Sequence, residues 1–178
     1  MPLDILIVIF VACGVGWGVY RGLIRSLICL ITLYIMASLS MGVYTSVAGG
    51  LGYLMTSFTT STRRQTEAIS FLIVLILGTV IVNALTKRYF PETRLSGKVF
   101  LDRFSGLVLG LVLAAGWLVL IMPPIEYLIS LPNRPSPTIR FFHSSIMMEW
   151  VYQAVPYLMT GLRPWLTEIP RPHMFALH

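Results

Sequence analysis

The sequence predicts an all-α membrane protein, with four transmembrane helices followed by a C-terminal interfacial helix and an irregular tail. Three observations carry this expectation. The apolar residues are gathered into four blocks, each close to the ~20 residues that cross ~30 Å of hydrocarbon. Charged residues make up 11% of the 178 positions, against roughly 25% in a soluble domain. The basic residues stand at or near the ends of the blocks, which suits headgroups and loops better than a nucleic-acid surface, although the net charge is +6.

The first span covers residues 5–20. It carries Asp4 where a signal peptide would have a basic start, and no small-residue cleavage site precedes Tyr20, so it reads as a retained span. Arg21 and Gly22 follow at once, and the second span covers residues 23–43. So short a connection predicts an antiparallel hairpin, with Gly22 in turn geometry and Arg21 and Arg25 reaching the headgroups. From residue 44 to 65 the composition turns to Gly, Ser and Thr, which predicts a loop. Its Gly49-Gly50-Leu51-Gly52 run lacks the following Gly-Lys-Ser/Thr of a phosphate cradle and reads as loop glycine.

The third span covers residues 68–85 and the fourth residues 104–125. Between them lies the most charged stretch, with Lys87, Arg88, Glu92, Arg94, Lys98, Asp102 and Arg103. Pro123-Pro124 removes two backbone donors and is expected to end or kink the fourth helix near Met122. Residues 1–128 then form the bundle and 129–137 a proline-rich linker. An interfacial helix over 138–160, opened by Ser136-Pro137, and an irregular tail over 161–178 complete the chain, with Pro156 closing the regular pattern.

In the predicted interfacial helix, Ile139, Phe142, Ile146, Trp150 and Tyr157 share one face. Phe141, Met148, Tyr152 and Val155 lie opposite. A helix apolar on both sides needs two apolar neighbours, so the first face is the candidate surface for the membrane or a protein partner.

The distribution of Lys and Arg orients the spans. The first and third connections hold seven of them, Arg21, Arg25, Lys87, Arg88, Arg94, Lys98 and Arg103. The opposite side holds Arg63, Arg64, Arg134 and Arg140 near span ends, with Arg171 and Arg163 too far away to count. Both termini are therefore expected on the non-cytoplasmic side.

Little in the chain suggests catalysis. Cys13 and Cys29 sit in apolar runs without a CxxC, and the histidines at 143, 173 and 178 lie outside the spans, so no metal or cofactor is implied. There is no Ser/His/Asp set, HExxH or pair of acids within a span. Asp4 reads as a carboxylate at a helix N-terminus, and Asp102 with Arg103 as an interfacial pair that opens the fourth helix. Asn83 is assigned to helix-to-helix hydrogen bonding. Gly14, Gly18 and Gly22 recur every four residues, as do Gly106, Gly110 and Ala114. Such faces let helix backbones approach closely, within the chain or between copies.

Three stretches resemble the colicin V production protein family, the CvpA-like membrane proteins of bacteria. The first is Leu3-Asp4, then Gly18 and Arg21-Gly22-Leu23-Ile24-Arg25. The second is Leu95-Ser96-Gly97, then Asp102-Arg103-Phe104-Ser105-Gly106 and Gly110. The third runs from Ser136 to Trp150. Where that family often has an acid after the second arginine of the hairpin, this chain has Ser26. The resemblance implies an inner-membrane protein connected with export or envelope physiology and brings no catalytic residues with it.

The function expected is therefore that of a non-enzymatic, multi-pass inner-membrane protein acting through protein partners. An accessory subunit of a respiratory or photosynthetic complex, or a small oligomeric transporter or channel, are the alternatives. The bilayer is an implied partner, a homo-oligomer is compatible with the glycine faces, and nucleic acid is not implied.

Overall fold

The computed structural model describes residues 2–54, 60–89, 99–129 and 145–162. These residues form five helices, α1 (Pro2–Arg21), α2 (Leu23–Leu54), α3 (Thr60–Tyr89), α4 (Val99–Ile129) and α5 (Ile146–Leu162). The first four each contain a stretch long and apolar enough to span a membrane, with mean hydropathies of 2.1, 2.0, 2.6 and 2.4. Their uncovered surfaces confirm the solvent they require. Ile5, Ile9, Ile31, Ile35, Leu77, Ile81, Leu107 and Leu111 all project outward, an apolar coat that a soluble monomer would not display. The chain is a multi-pass membrane protein.

Pro2 opens α1 at a position where a missing backbone donor costs nothing, and the helix ends at Gly22. That glycine has φ +81, the left-handed conformation that closes helices, and its N–H donates to the Gly18 carbonyl at 3.0 Å. Its own carbonyl accepts the Ser26 N–H at 3.2 Å. One residue thus ends α1 and begins α2.

The two helices so joined do not pack side by side as the predicted hairpin would. α1 lies chiefly against α4, and α2 against α3 and then α4. The reason is visible in the side chains, since the small residues of α1 match those of α4 and leave α2 free to bury its larger ones elsewhere.

The packing divides the bundle into two ends. Toward Gly22 the α1–α4 contacts are made by glycines. At the other end lies a core of large side chains, with Leu3 and Ile7 of α1, Met41 and Tyr44 of α2, Phe71 and Leu75 of α3, and Leu118 and Leu120 of α4. Met148, Val151 and Val155 of α5 close it.

Several helix limits differ from expectation. α2 runs to Leu54 and α3 starts at Thr60, so most of the loop expected over 44–65 is helical. Tyr44 and Ala48 are buried, and their packing outweighs the weak helix propensity of the nearby glycines. The 32 residues of α2 make a rod of about 48 Å, longer than the hydrocarbon layer. α4 passes through Pro123 and Pro124, both buried, to Ile129. Membrane helices tolerate such breaks because neighbours re-satisfy the freed carbonyls. α5 begins at Ile146 and continues past Pro156 to Leu162. The linker after residue 129, the first part of the predicted interfacial helix and the tail after residue 162 fall outside the described residues, and with them Ile139 and Phe142.

Candidate functional site

The glycine faces read from the sequence meet each other within one chain. A Cβ added to Gly14 would stand 2.7 Å from the Ala114 Cβ, and one on Gly110 would stand 2.8 Å from the Gly14 carbonyl oxygen. One on Gly18 would overlap the Gly106 carbonyl oxygen. Backbones this close exchange dispersion and Cα–H···O contacts that larger residues forbid. Gly16, on another side of α1, has nothing within 4 Å.

Gly22 belongs to the same seam. A Cβ there would run into the Asp102 carboxylate, which is buried at 7% exposure. Asp102 Oδ1 accepts the N–H of Leu23 at 2.8 Å. The expectation of an Asp102–Arg103 pair is thereby corrected, because Asp102 turns toward the first residue of α2 while Arg103 is exposed. Adjacent residues on a helix point about 100° apart, so one helix face cannot serve both. The acid complements the dipole of α2 as well as that of its own helix.

Asp4 repeats this arrangement at the other end. At the N-terminus of α1, as the sequence implies, its Oδ1 accepts the Ser145 hydroxyl at 2.6 Å and the Met147 N–H at 3.4 Å. The Ser145 oxygen in turn accepts the Met148 N–H at 3.4 Å, as an N-cap does. Each aspartate sits in the first turn of one helix and caps another, Asp4 of α1 capping α5 and Asp102 of α4 capping α2. The sequence offers Ser136 as the cap, but α5 starts at Ile146 and Ser145, immediately before an apolar run, caps it.

A polar chain crosses the bundle near Gly22. Arg21 Nη1 donates to Cys29 Sγ at 3.0 Å, and the Cys29 thiol donates to Asn83 Oδ1 at 3.0 Å. Asn83 thus makes the interhelical bond expected of it. The Arg21 guanidinium also lies 5.0 Å from the centroid of the Trp17 ring, a cation–π contact. Arg25 is half-buried in the first turn of α2. Both cysteines sit in apolar runs, yet Cys29 is buried whereas Cys13 is exposed on α1. Ser26 is buried and its hydroxyl lies 3.5 Å from the Gly18 carbonyl, a small polar group where an acid would crowd the seam.

On α5 the buried stripe is Met148, Val151 and Val155. Ile146, Trp150 and Tyr157 are 66%, 70% and 80% exposed on the opposite side. Glu149, Gln153 and Thr160 are exposed too, about 60° further round the helix. The far end of α5 is tied to α2, where the Tyr34 hydroxyl donates to the Gly161 carbonyl at 2.9 Å. The helix is therefore held at both ends and along one side.

Among the described residues, no group of three His, Cys, Asp or Glu side chains could hold a metal ion. The arrangement joins helices, with two aspartates capping neighbours and the glycines packing backbone on backbone.

No curated protein and no solved structure matches the chain. The family model of the colicin V production protein matches residues 3–156, from the first turn of α1 to the proline within α5. That range takes in the Gly22 junction, the α1–α4 seam and both capping aspartates. The chain belongs to the colicin V production protein family.

Proposed function

We propose that this protein is a non-enzymatic component of the bacterial inner membrane that supports secretion or envelope physiology by holding protein partners. α5 is the contact element. The observation that carries the reading is the three-sided character of α5. One stripe is buried against the bundle, one is apolar and uncovered at Ile146, Trp150 and Tyr157, and one is polar at Glu149, Gln153 and Thr160. A helix seated at the edge of the bilayer satisfies all three, and aromatic groups standing there suit protein contact. Family membership and the seam of glycines, which uses small residues for internal packing, support the same reading.

A photo-reactive side chain placed at position 150 or 157 tests it in cells. The expected result is a small set of discrete protein adducts from these positions and none from position 108, on the lipid-facing side of α4. Adducts with its own copies alone would favour an oligomeric channel or transporter. Stoichiometric subunits of one large complex would favour an accessory role.

A further inference from the structure

We propose that the Gly22 end of the bundle holds the phosphate of an anionic phospholipid, gripped by Arg21 with Arg25 and Lys87. Four helix ends meet there, the last turns of α1 and α3 and the first turns of α2 and α4. Exposed aromatic rings ring this end. Trp17 and Tyr20 stand 6.5 Å apart, Phe100 and Phe104 are stacked at 6.5 Å, and Tyr89 is exposed. Such rings mark the headgroup level of a bilayer. Arg21 and Arg25 begin at this level, so their cationic groups lie at the depth of lipid phosphates.

Arg21 is also pre-organised. Trp17 supports one face of its guanidinium and Cys29 takes one N–H, which leaves further donors of the planar fork for an oxyanion. The bond from Cys29 to Asn83 brings α3 to the same place. Lys87 is one turn beyond Asn83 on the same face of α3, with its exposed ammonium able to reach the same phosphate. Among the described residues, no carboxylate forms an ion pair with Arg21, Arg25 or Lys87, and the one nearby acid placed by the structure, Asp102, is engaged with Leu23. A fixed, half-buried arginine with a second cation one helix away and lipid on its outer side fits a headgroup phosphate better than a soluble anion.

Native mass spectrometry of the full chain in mild detergent tests this, with phosphatidylglycerol and phosphatidylcholine added in equal amounts. Retained phosphatidylglycerol should exceed phosphatidylcholine by about tenfold or more, and Arg21→Gln with Lys87→Gln should abolish most of that excess. Arg63→Gln with Arg64→Gln removes equal charge at the far end of α3 and should leave retention unchanged. Equal loss in the two double variants, or equal retention of the two lipids, would overturn the site. Displacement by millimolar inorganic phosphate would overturn the lipid assignment in favour of a soluble anion. If Arg21→Gln unfolds, Arg25→Gln with Lys87→Gln decides the matter by the same ratio, since both groups lie outside the seam.

Discussion

Asp102, in the first turn of α4, accepts a hydrogen bond from the backbone of Leu23, the first residue of α2, at 2.8 Å. The carboxylate satisfies a donor that the single-residue junction leaves without a helical partner, and its charge suits the positive end of α2. Asp102→Ala should lower stability by about 2 kcal/mol, the upper range for a lost cap. Asp102→Asn keeps an acceptor and should lose less than half as much. Thermal unfolding in detergent reads both, and equal losses would show that the cap is incidental.

At the seam, Gly18→Ala should destabilise by about 1–3 kcal/mol through overpacking against Gly106, whereas Gly16→Ala, in open space, should stabilise by up to about 1 kcal/mol. Gly22→Ala adds about 1–2 kcal/mol for the left-handed backbone to its collision with Asp102. A Gly18→Ala variant as stable as the Gly16→Ala one would mean that α1 and α4 do not meet as described.

The bond between Asp4 and Ser145 holds the start of α5 on the bundle. With Cys13 and Cys29 changed to serine, Met148→Cys reports on this, because Met148 is 1% exposed. Ser145→Ala should raise its rate of maleimide labelling about fivefold, the effect of losing a typical N-cap. An unchanged rate would indicate that Val151 and Val155 alone retain the helix.

Orientation has a separate test. Cysteines placed within 87–98 should be labelled only from the cytoplasmic side, and cysteines within 55–64 only from the opposite side. The reverse pattern would place the termini in the cytoplasm and move α5 with them.

Much of this was legible in the sequence because membrane solvent imposes simple rules. Block length and apolar content identified the spans, and the four-residue rhythm of Gly14, Gly18, Gly106 and Gly110 identified the seam. Neither could show that α1 meets α4 and not α2, since a glycine face is complementary to any other glycine face. Helix ends were harder to place. Gly49 and Gly50 weaken α2 only locally, while burial of Tyr44 and Ala48 is a tertiary effect that composition does not reveal. The aspartates were recognised as helix-start acids, but their partners lie 141 residues away for Ser145 and 79 for Leu23. Separations of that size are not written in local pattern. Ile146, Trp150 and Tyr157 share one exposed face of α5 because helical periodicity suffices when the other side is buried.

The seam between α1 and α4 also has a consequence during synthesis. Gly18 and Gly106 lie roughly ninety residues apart, so α1 enters the bilayer several seconds before its mate is made, at typical translation rates of ~5–20 residues per second. For that interval the glycine face of α1 has no α4 to pack on. The seam between α1 and α4 can therefore close only after two intervening helices have been made.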